Sequence, residues 1–266
     1  MPVRDDLGTR MKEFYEQVPK FKLYRRTPVA IRIDGKAFHT FTRGFQKPFD
    51  EVLGNAMVRT MEYLAKNIQG CVFAYQQSDE ITLILVDYQT HETSAWFDYE
   101  IQKLCSVSAS MATMAFNKFF NEEVDKYSRN LNNSGVQTNW YIAKALNGAM
   151  FDARCFNIPK EEVTNLIYWR QLDATRNSIQ MVGQHYFSHS ELQNKSCNDI
   201  QDMLHEQKDI NWNNYPTRWK RGVACRRVKD LDEYGNDWGG WIIDYEMPIL
   251  KGENRAYVDN LIFVGE

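Results

Sequence analysis

The stretch "VAIRIDGKAFHTF", Val29 to Phe41, opens as an apolar run, passes through Asp34-Gly35 and then fails to resume a clean strand alternation. An Asp-Gly pair after a β-like run ordinarily announces a hairpin turn. Nothing upstream of Val29 reads as a strand for a returning chain to pair with, because residues 1–28 form a polar, helical lead-in that stops near Pro19. A strand is predicted over Val29–Asp34, and the task of Asp34 must come from its neighbours in the fold.

Those neighbours emerge from periodicity. From Phe49, apolar side chains recur at Leu53, Ala56, Met57, Met61, Leu64 and Ala65, the spacing of one buried helical face. "CVFAY" and "ITLILVD" flank the polar tip "QQSDE" and read as a β-hairpin with a five-residue connection. A long helix comes next, through Ile101, Leu104, Met111, Ala115 and Phe119, and "GAMFDARCFNIP" supplies a further strand ended by Pro159. The order strand, helix, strand, strand, helix, strand is that of a split βαβ, ferredoxin-like sheet, an α+β fold. In such a sheet the hairpin's second strand lies antiparallel beside the first strand, which brings Asp34 to Asp79 and Glu80.

Residues 160–266 read as helical and then loop-rich. "SHSE" at Ser188–Glu191 and "SCND" at Ser196–Asp199 have the form of capping boxes. No internal repeat or Pro/Ser-rich linker is present, so this part is expected to pack on the sheet. A catalytic unit over residues 1–160 and an extension over 161–266 are the expected domains.

Composition limits the function. At 266 residues roughly 70–75% of the unfolded surface can be buried. With 32 basic and 35 acidic side chains the net charge is -3, which excludes wholesale coating of nucleic acid and leaves room for a local basic patch. Five widely spaced cysteines with no C-x-x-C pair fit neither a disulfide framework nor a zinc knuckle. With no secretory or membrane-spanning run, a cytoplasmic protein without a membrane partner is expected.

The strongest chemical signal is Asp34 with Asp79 and Glu80. Two like charges about 4 Å apart repel by about 4 kcal/mol at an effective dielectric near 20, so such a cluster calls for a cation or raised pKa values. Magnesium suits it, taking oxygen ligands and completing its shell with water and substrate phosphates. A solvated turn and a solvated hairpin tip would carry the same residues. Backbone N–H groups after Gly35 are candidates for phosphate, and Lys36, Lys47 and Lys103 are point charges for a triphosphate. No P-loop is present. His39, between Phe38 and Phe41, reads equally as a packed side chain, and His185 and His189 lack a third zinc ligand nearby. "PTRWKRGVACRRVK" gathers Arg218, Lys220, Arg221, Arg226, Arg227 and Lys229 around Trp219, a pattern suited to RNA or to the polar face of a strand. "YWRQLDATRNS" adds Arg170, Arg176 and Asn177 as polynucleotide contacts, or as a helix surface.

Taken together, "VAIRIDGKAFHTF", "FAYQQSDEITLIL", "FDARCFNIP", "YWRQLDATRNS" and "PTRWKRG" resemble, in order and spacing, the tRNA-histidine guanylyltransferase superfamily, most of all its bacterial and archaeal 3'-5' RNA polymerase-like members. The resemblance covers about residues 5–230. It implies a polymerase-like palm, an antiparallel sheet with helices on one face, plus a helical C-terminal extension. It implies nucleotide addition to the 5' end of tRNA after ATP-dependent 5' activation. Two Mg2+ ions would fall on Asp34, the Gly35 carbonyl and Asp79, with Glu80 as the adjacent acid. Nucleotide contacts would fall on Asp34, Gly35, Lys36, Ala37, Phe38, His39, Ser78 and Asp79, and triphosphate contacts on Lys47 and Lys103. ATP, GTP, other nucleoside triphosphates and tRNA are the implied partners, and a homotetramer the implied assembly. One departure stands out: where eukaryotic members carry H-I-N-x-x-Y-N, this chain has "TRNSIQM", keeping only Asn177 of the polar set. Template-directed repair of 5'-truncated tRNA is therefore expected over fixed guanosine addition at position -1. A palm-type nucleotide cyclase and a non-catalytic RNA-binding protein are the other readings.

Overall fold

The computed structural model of the protein describes residues 6–130, 133, 135–228 and 239–265. In chain order these form α1 (Asp6–Met11), β1 (Val29–Gly35), α2 (Phe38–Phe41), α3 (Glu51–Asn67), β2 (Cys71–Gln77), β3 (Glu80–Leu85), α4 (Ile101–Ser128), α5 (Gly135–Asn147), β4 (Phe151–Asn157), α6 (Lys160–Tyr186), α7 (His189–Leu192), α8 (Cys197–Lys208), α9 (Thr217–Arg221), β5 (Val223–Arg227), β6 (Trp241–Asp244) and α10 (Ala256–Ile262). The sheet order is β4-β1-β3-β2-β5-β6, with every neighbouring pair antiparallel. The first four strands have the split βαβ order expected from the sequence. The C-terminal segment does more than pack on that sheet, because β5 and β6 extend it beyond β2.

Alternation along β1 sorts the core into two layers. Val29, Ile31 and Ile33 face α3 and α4, meeting Met57, Met61, Leu64 and Phe116. Ala30 faces the other way, into a layer with Phe73, Tyr75, Ile84, Val163 and Ile167 that α6 and α10 close. Arg32 and Asp34 share the face of Ala30, so the acidic end of β1 emerges beneath α6. A third cluster, Ile179, Val182, Phe187, Ile200, Leu204 and Trp212, ties the far half of α6 to α8. Both capping boxes are present, with Ser188 and Ser196 each accepting the backbone N–H three residues on.

The hairpin tip is shorter than the sequence suggests. Gln76, Gln77 and Glu80 continue the ladder, leaving Ser78 and Asp79 as a two-residue turn with Ser78 at φ 49°. Gln76, Gln77 and Glu80 read as loop, yet they are buried. Gln76 Nε2 donates to the Ser78 carbonyl at 2.7 Å, and Glu80 is ion-paired, which removes the cost of burying them.

Gly35 ends β1 where the chain turns sharply under an aromatic cluster. The Phe38 ring packs against Phe41, Phe116 and Phe151 at centroid separations of 5.1, 5.5 and 5.2 Å. A Cβ on residue 35 would lie 2.2 Å from Phe38 Cδ2, so alanine must displace that ring. Gly35→Ala is expected to lose about 1–3 kcal/mol of stability, as overpacked cores do, read by denaturant unfolding.

Candidate active site

Asp34 is the last residue but one of β1, an interior strand, paired in register with Glu80 of β3 and with Asp152 of β4. Residues directly opposite project from the same face, so three carboxylates form one row across the sheet. Asp79, in the β2–β3 turn, joins from the end: its carbonyl accepts the Gly35 N–H at 3.1 Å. Burial raises the Asp34 carboxyl, and Glu80 and Asp152 raise it further against the pull of Arg154 and Arg32. Asp79 is pushed up to about 6, first by burial and then by Asp34, with a hydrogen bond from Ser78 opposing the rise. Charge on either aspartate therefore opposes charge on the other. Asp152 was not singled out from the sequence. Its signal lay in "FDARCF", where Asp152, Arg154 and Phe156 alternate onto the face of Asp34.

Glu80 has a different task from the two aspartates. Only 6% exposed, it accepts from Arg32 NH2 through Oε2 at 2.6 Å and from Arg170 Nε through Oε1 at 2.7 Å. Both oxygens are committed, so Glu80 locks α6 onto β1 and β3 beside the aspartates. Arg170 is thereby removed from the expected RNA contacts: it is buried and spans Glu80 and Asp173. The periodicity of a buried helix face brought it inward.

The turn after Gly35 gives the expected phosphate-binding segment mixed duties. Lys36 donates its N–H to the Met150 carbonyl at 2.9 Å while its side chain, like that of His39, is exposed. Ala37 takes a left-handed conformation, φ 56°, and caps the single turn of α2. The N–H groups of Phe38 and His39 find no acceptor among the described residues, as at any helix start. The Phe38 side chain belongs to the core, so only its backbone faces the site.

Beside the Ser78–Asp79 turn a pocket opens between the Lys47–Asp50 segment, α6 and α9. Its walls are largely apolar: Phe45, Phe49, Leu53, Met181 and Trp219, with Ser78 and Asn177 among the polar groups. Trp219 stacks on Phe49 with centroids 5.2 Å apart and planes 6° from parallel. Lys47 is exposed and lines the pocket together with Ser78. Lys103 is not brought here. Cys105 and Cys155 lie 3.6 Å apart and Thr113 Oγ1 accepts the Phe151 N–H, so α4 begins toward the Asn157 end of β4 and runs toward Phe151. The Lys103 ammonium stands 5.6 Å from the centroid of Phe97, at the end of the sheet away from Asp34.

The basic stretch does not form one patch. Arg218 lines the pocket and pairs with Glu51 and Asn55. Lys220 is buried, donates to the Asn213 carbonyl at 2.6 Å and has its pKa lowered by burial. Arg221 turns back to Thr217. On β5, alternation sends Arg226 to the α10 face, over Tyr257 at 4.8 Å, and exposed Arg227 to the opposite one. Arg176 is exposed and pairs with Asp173, and Asn177 lines the pocket. Lys229 lies outside the described residues.

Known proteins share the sequence and fold of this chain. Residues 8–159 match the family model described as Thg1, tRNAHis guanylyltransferase. An uncharacterized protein of Acanthamoeba polyphaga mimivirus is 31% identical over 237 residues, covering 85% of this chain and 78% of that protein. The tRNA(His) guanylyltransferase of Saccharomyces cerevisiae is 27% identical over 224 residues, 76% of this chain and 84% of its own. Among solved structures, a bacterial tRNA(His) guanylyltransferase-like protein in complex with ATP superposes with a TM-score of 0.80 at 40% identity, covering 97% of this chain and all of that one. A bacterial guanylyltransferase-like protein in complex with GTP gives 0.78 at 38% identity, covering 98% of this chain and 100% of that one. The match of the family model over residues 8–159, with these relatives on the same fold, means that the chain belongs to the tRNAHis guanylyltransferase family.

Proposed function

We propose that this nucleotidyltransferase extends the 5' end of tRNA in the 3'-5' direction, with the opposite strand choosing the nucleotide. The observation that carries the reading is the Asp34–Asp79 pair, whose carboxyls are raised by burial and by neighbouring carboxylates, with Asp79 next in the chain to Ser78, which lines the Lys47 pocket. A counter-charge would relieve the cost of ionising such a pair, and the donors there are hard oxygens. Asp34, the Gly35 carbonyl and Asp79 would hold two magnesium ions. Among the described residues no three His, Cys, Asp or Glu side chains gather to hold an ion unaided. Magnesium leaves much of its shell to water and substrate phosphates. Bound there, it would neutralise charge on the attacked phosphate and the leaving group.

In the proposed reaction the tRNA 5'-monophosphate attacks the α-phosphorus of ATP and releases pyrophosphate. The 3'-hydroxyl of the incoming nucleotide then attacks the activated 5' phosphorus and releases AMP. Lys47 would meet triphosphate oxygens as a point charge, and the aromatic pocket would receive a nucleoside. Solved relatives carrying ATP and GTP support nucleotide binding on this fold.

Template choice rests on how "TRNSIQM" is used. Thr175 Oγ1 donates to the Lys220 carbonyl, Ser178 Oγ accepts from Trp212 Nε1, and Met181 gives the pocket an apolar wall. With Thr175 and Ser178 turned to Lys220 and Trp212, this segment offers the pocket Asn177 and an apolar Met181 where a base edge would be read, and pairing to the opposite strand then supplies the selection. The exposed Phe14, Tyr15, Val18, Phe21 and Tyr24 of the N-terminal segment support self-association, with a homotetramer the proposed state, read by mass in solution. No helix of the described residues is long and apolar enough to cross a membrane, and a cytoplasmic setting is proposed.

The test is incubation with magnesium, ATP, labelled nucleotides and tRNAs lacking the first 5' nucleotide, each with a different base opposite the gap. Addition of the complementary nucleotide is expected. Guanosine added whatever the opposite base would replace repair with addition at position -1, and nucleotide cyclised without RNA would place the chain among palm-type cyclases.

A further inference from the structure

Helix α6 buries Arg170 against the site and leaves large side chains open beside it, Trp169 among them. Trp169 is 52% exposed although its neighbour Arg170 is only 6% exposed. The indole is held by two guanidiniums: the Arg32 carbon lies 5.4 Å from the ring centroid and the Arg170 carbon 4.5 Å. Both arginines are fixed in turn by Glu80. An exposed tryptophan on a protein surface ordinarily moves between rotamers. This one is anchored from below by an ion-pair network that is itself buried, so its open area is presented in one place.

Its position matters as much as its rigidity. Arg32 lies two residues before Asp34 on the same face of β1, and Arg32 pairs in register with the exposed Arg154. The surface around the indole therefore runs from Arg154 and Asp152 on the edge strand, past the proposed catalytic aspartates, to exposed Leu172 and Arg176 one and two turns further along α6. The nucleoside pocket lies elsewhere, on the Lys47 and Trp219 side of the Ser78–Asp79 turn, and Trp169 does not line it. The Ser78–Asp79 turn thus borders an aromatic pocket, and Trp169 is a separate, open aromatic platform over Arg32 and Arg170. Beside that platform stands Arg154, whose guanidinium is half-exposed and reaches Asp152 at 3.3 Å.

We infer that Trp169 is a stacking platform for the exposed base at the acceptor end of the RNA, with Arg154 holding the adjoining phosphate. Every base has a π-face, so a platform of this kind accepts any terminal nucleotide, as an enzyme whose nucleotide is chosen by pairing requires. The inference rests on the proposed action at a tRNA 5' end and adds the residue that would hold that end against the aspartates.

The test is direct binding of a tRNA lacking its first 5' nucleotide, without nucleotide or divalent metal, across a salt series. Trp169→Ala is expected to weaken binding roughly 5- to 150-fold, the range for loss of one base–aromatic stack, with an unchanged slope of affinity against salt. Trp169→Phe is expected to restore most of the loss. Arg154→Ala is expected to reduce the salt slope by about one charge. Unaltered affinity in Trp169→Ala, or a change in oligomer mass in its place, would overturn the inference while leaving the proposed function standing. Absence of tRNA binding by the unaltered protein would count against the proposed function itself.

Discussion

Replacing Asp79 with asparagine is expected to make the metal-free protein more stable above pH 6 while reducing nucleotide addition by more than about 100-fold. The Asp79 carboxyl titrates near 6 in the folded chain against an ordinary value of 3.8, because burial and Asp34 both oppose its charge. A carboxyl whose folded pKa is raised binds its proton more tightly in the native state than in the unfolded one. Its contribution is therefore most favourable below pH 3.8 and is lost as pH rises to about 6, beyond which the penalty is constant. A difference of this size corresponds to about 2–3 kcal/mol. Asparagine keeps the shape and removes the charge, so the variant should show a smaller fall between pH 4 and 7, the part that Asp34 contributes, as read by denaturant unfolding. Magnesium should then raise the melting temperature of the unaltered protein and leave the variant nearly unmoved. A wild type that gains nothing from magnesium, or a variant that retains activity, would remove Asp79 from the metal site.

The same carboxylates show what could be read from the sequence and what could not. Strand and helix periods along residues 29–159 were sufficient to order the first four strands, and that order alone placed Asp34 beside the β2–β3 turn. Asp152 escaped because cross-strand register is a property of two chain segments, and neither alone carries it. Glu80 could be placed, but the sequence counts it with the catalytic acids Asp34 and Asp79, since the partners that occupy it, Arg32 and Arg170, come from 48 and 90 residues away. The basic stretch misled for a local reason. Charges adjacent in sequence fall on a short helix that walls the pocket and then on both faces of a strand, so nearness along the chain became separation in space. Lys103 matched the family's motif, yet the direction of α4 carries it away from Asp34.

Arg170→Ala is expected to cost about 3 kcal/mol, the lower end of the loss incurred when one partner of a buried ion pair is removed. The lower end applies because Glu80 keeps Arg32 and Asp173 keeps Arg176. For a chain of this length the loss corresponds to a fall of roughly 6–12 °C in melting temperature. Lysine should rescue little of it. Arg170 directs Nε to Glu80 and NH2 to Asp173, each at 2.7 Å, and a single ammonium cannot reproduce that fork. An RNA contact would behave in the opposite way, leaving the melting temperature alone and lowering the salt slope of tRNA binding by about one charge. Because Arg170 also steadies Trp169, tRNA affinity should drop as well, but with the slope preserved, since what is lost is the anchoring of an aromatic ring. The buried Arg32–Glu80–Arg170 network thus sets two things together: the placement of the Asp79 turn beneath α6, and the rigidity of the surface proposed to receive the RNA end.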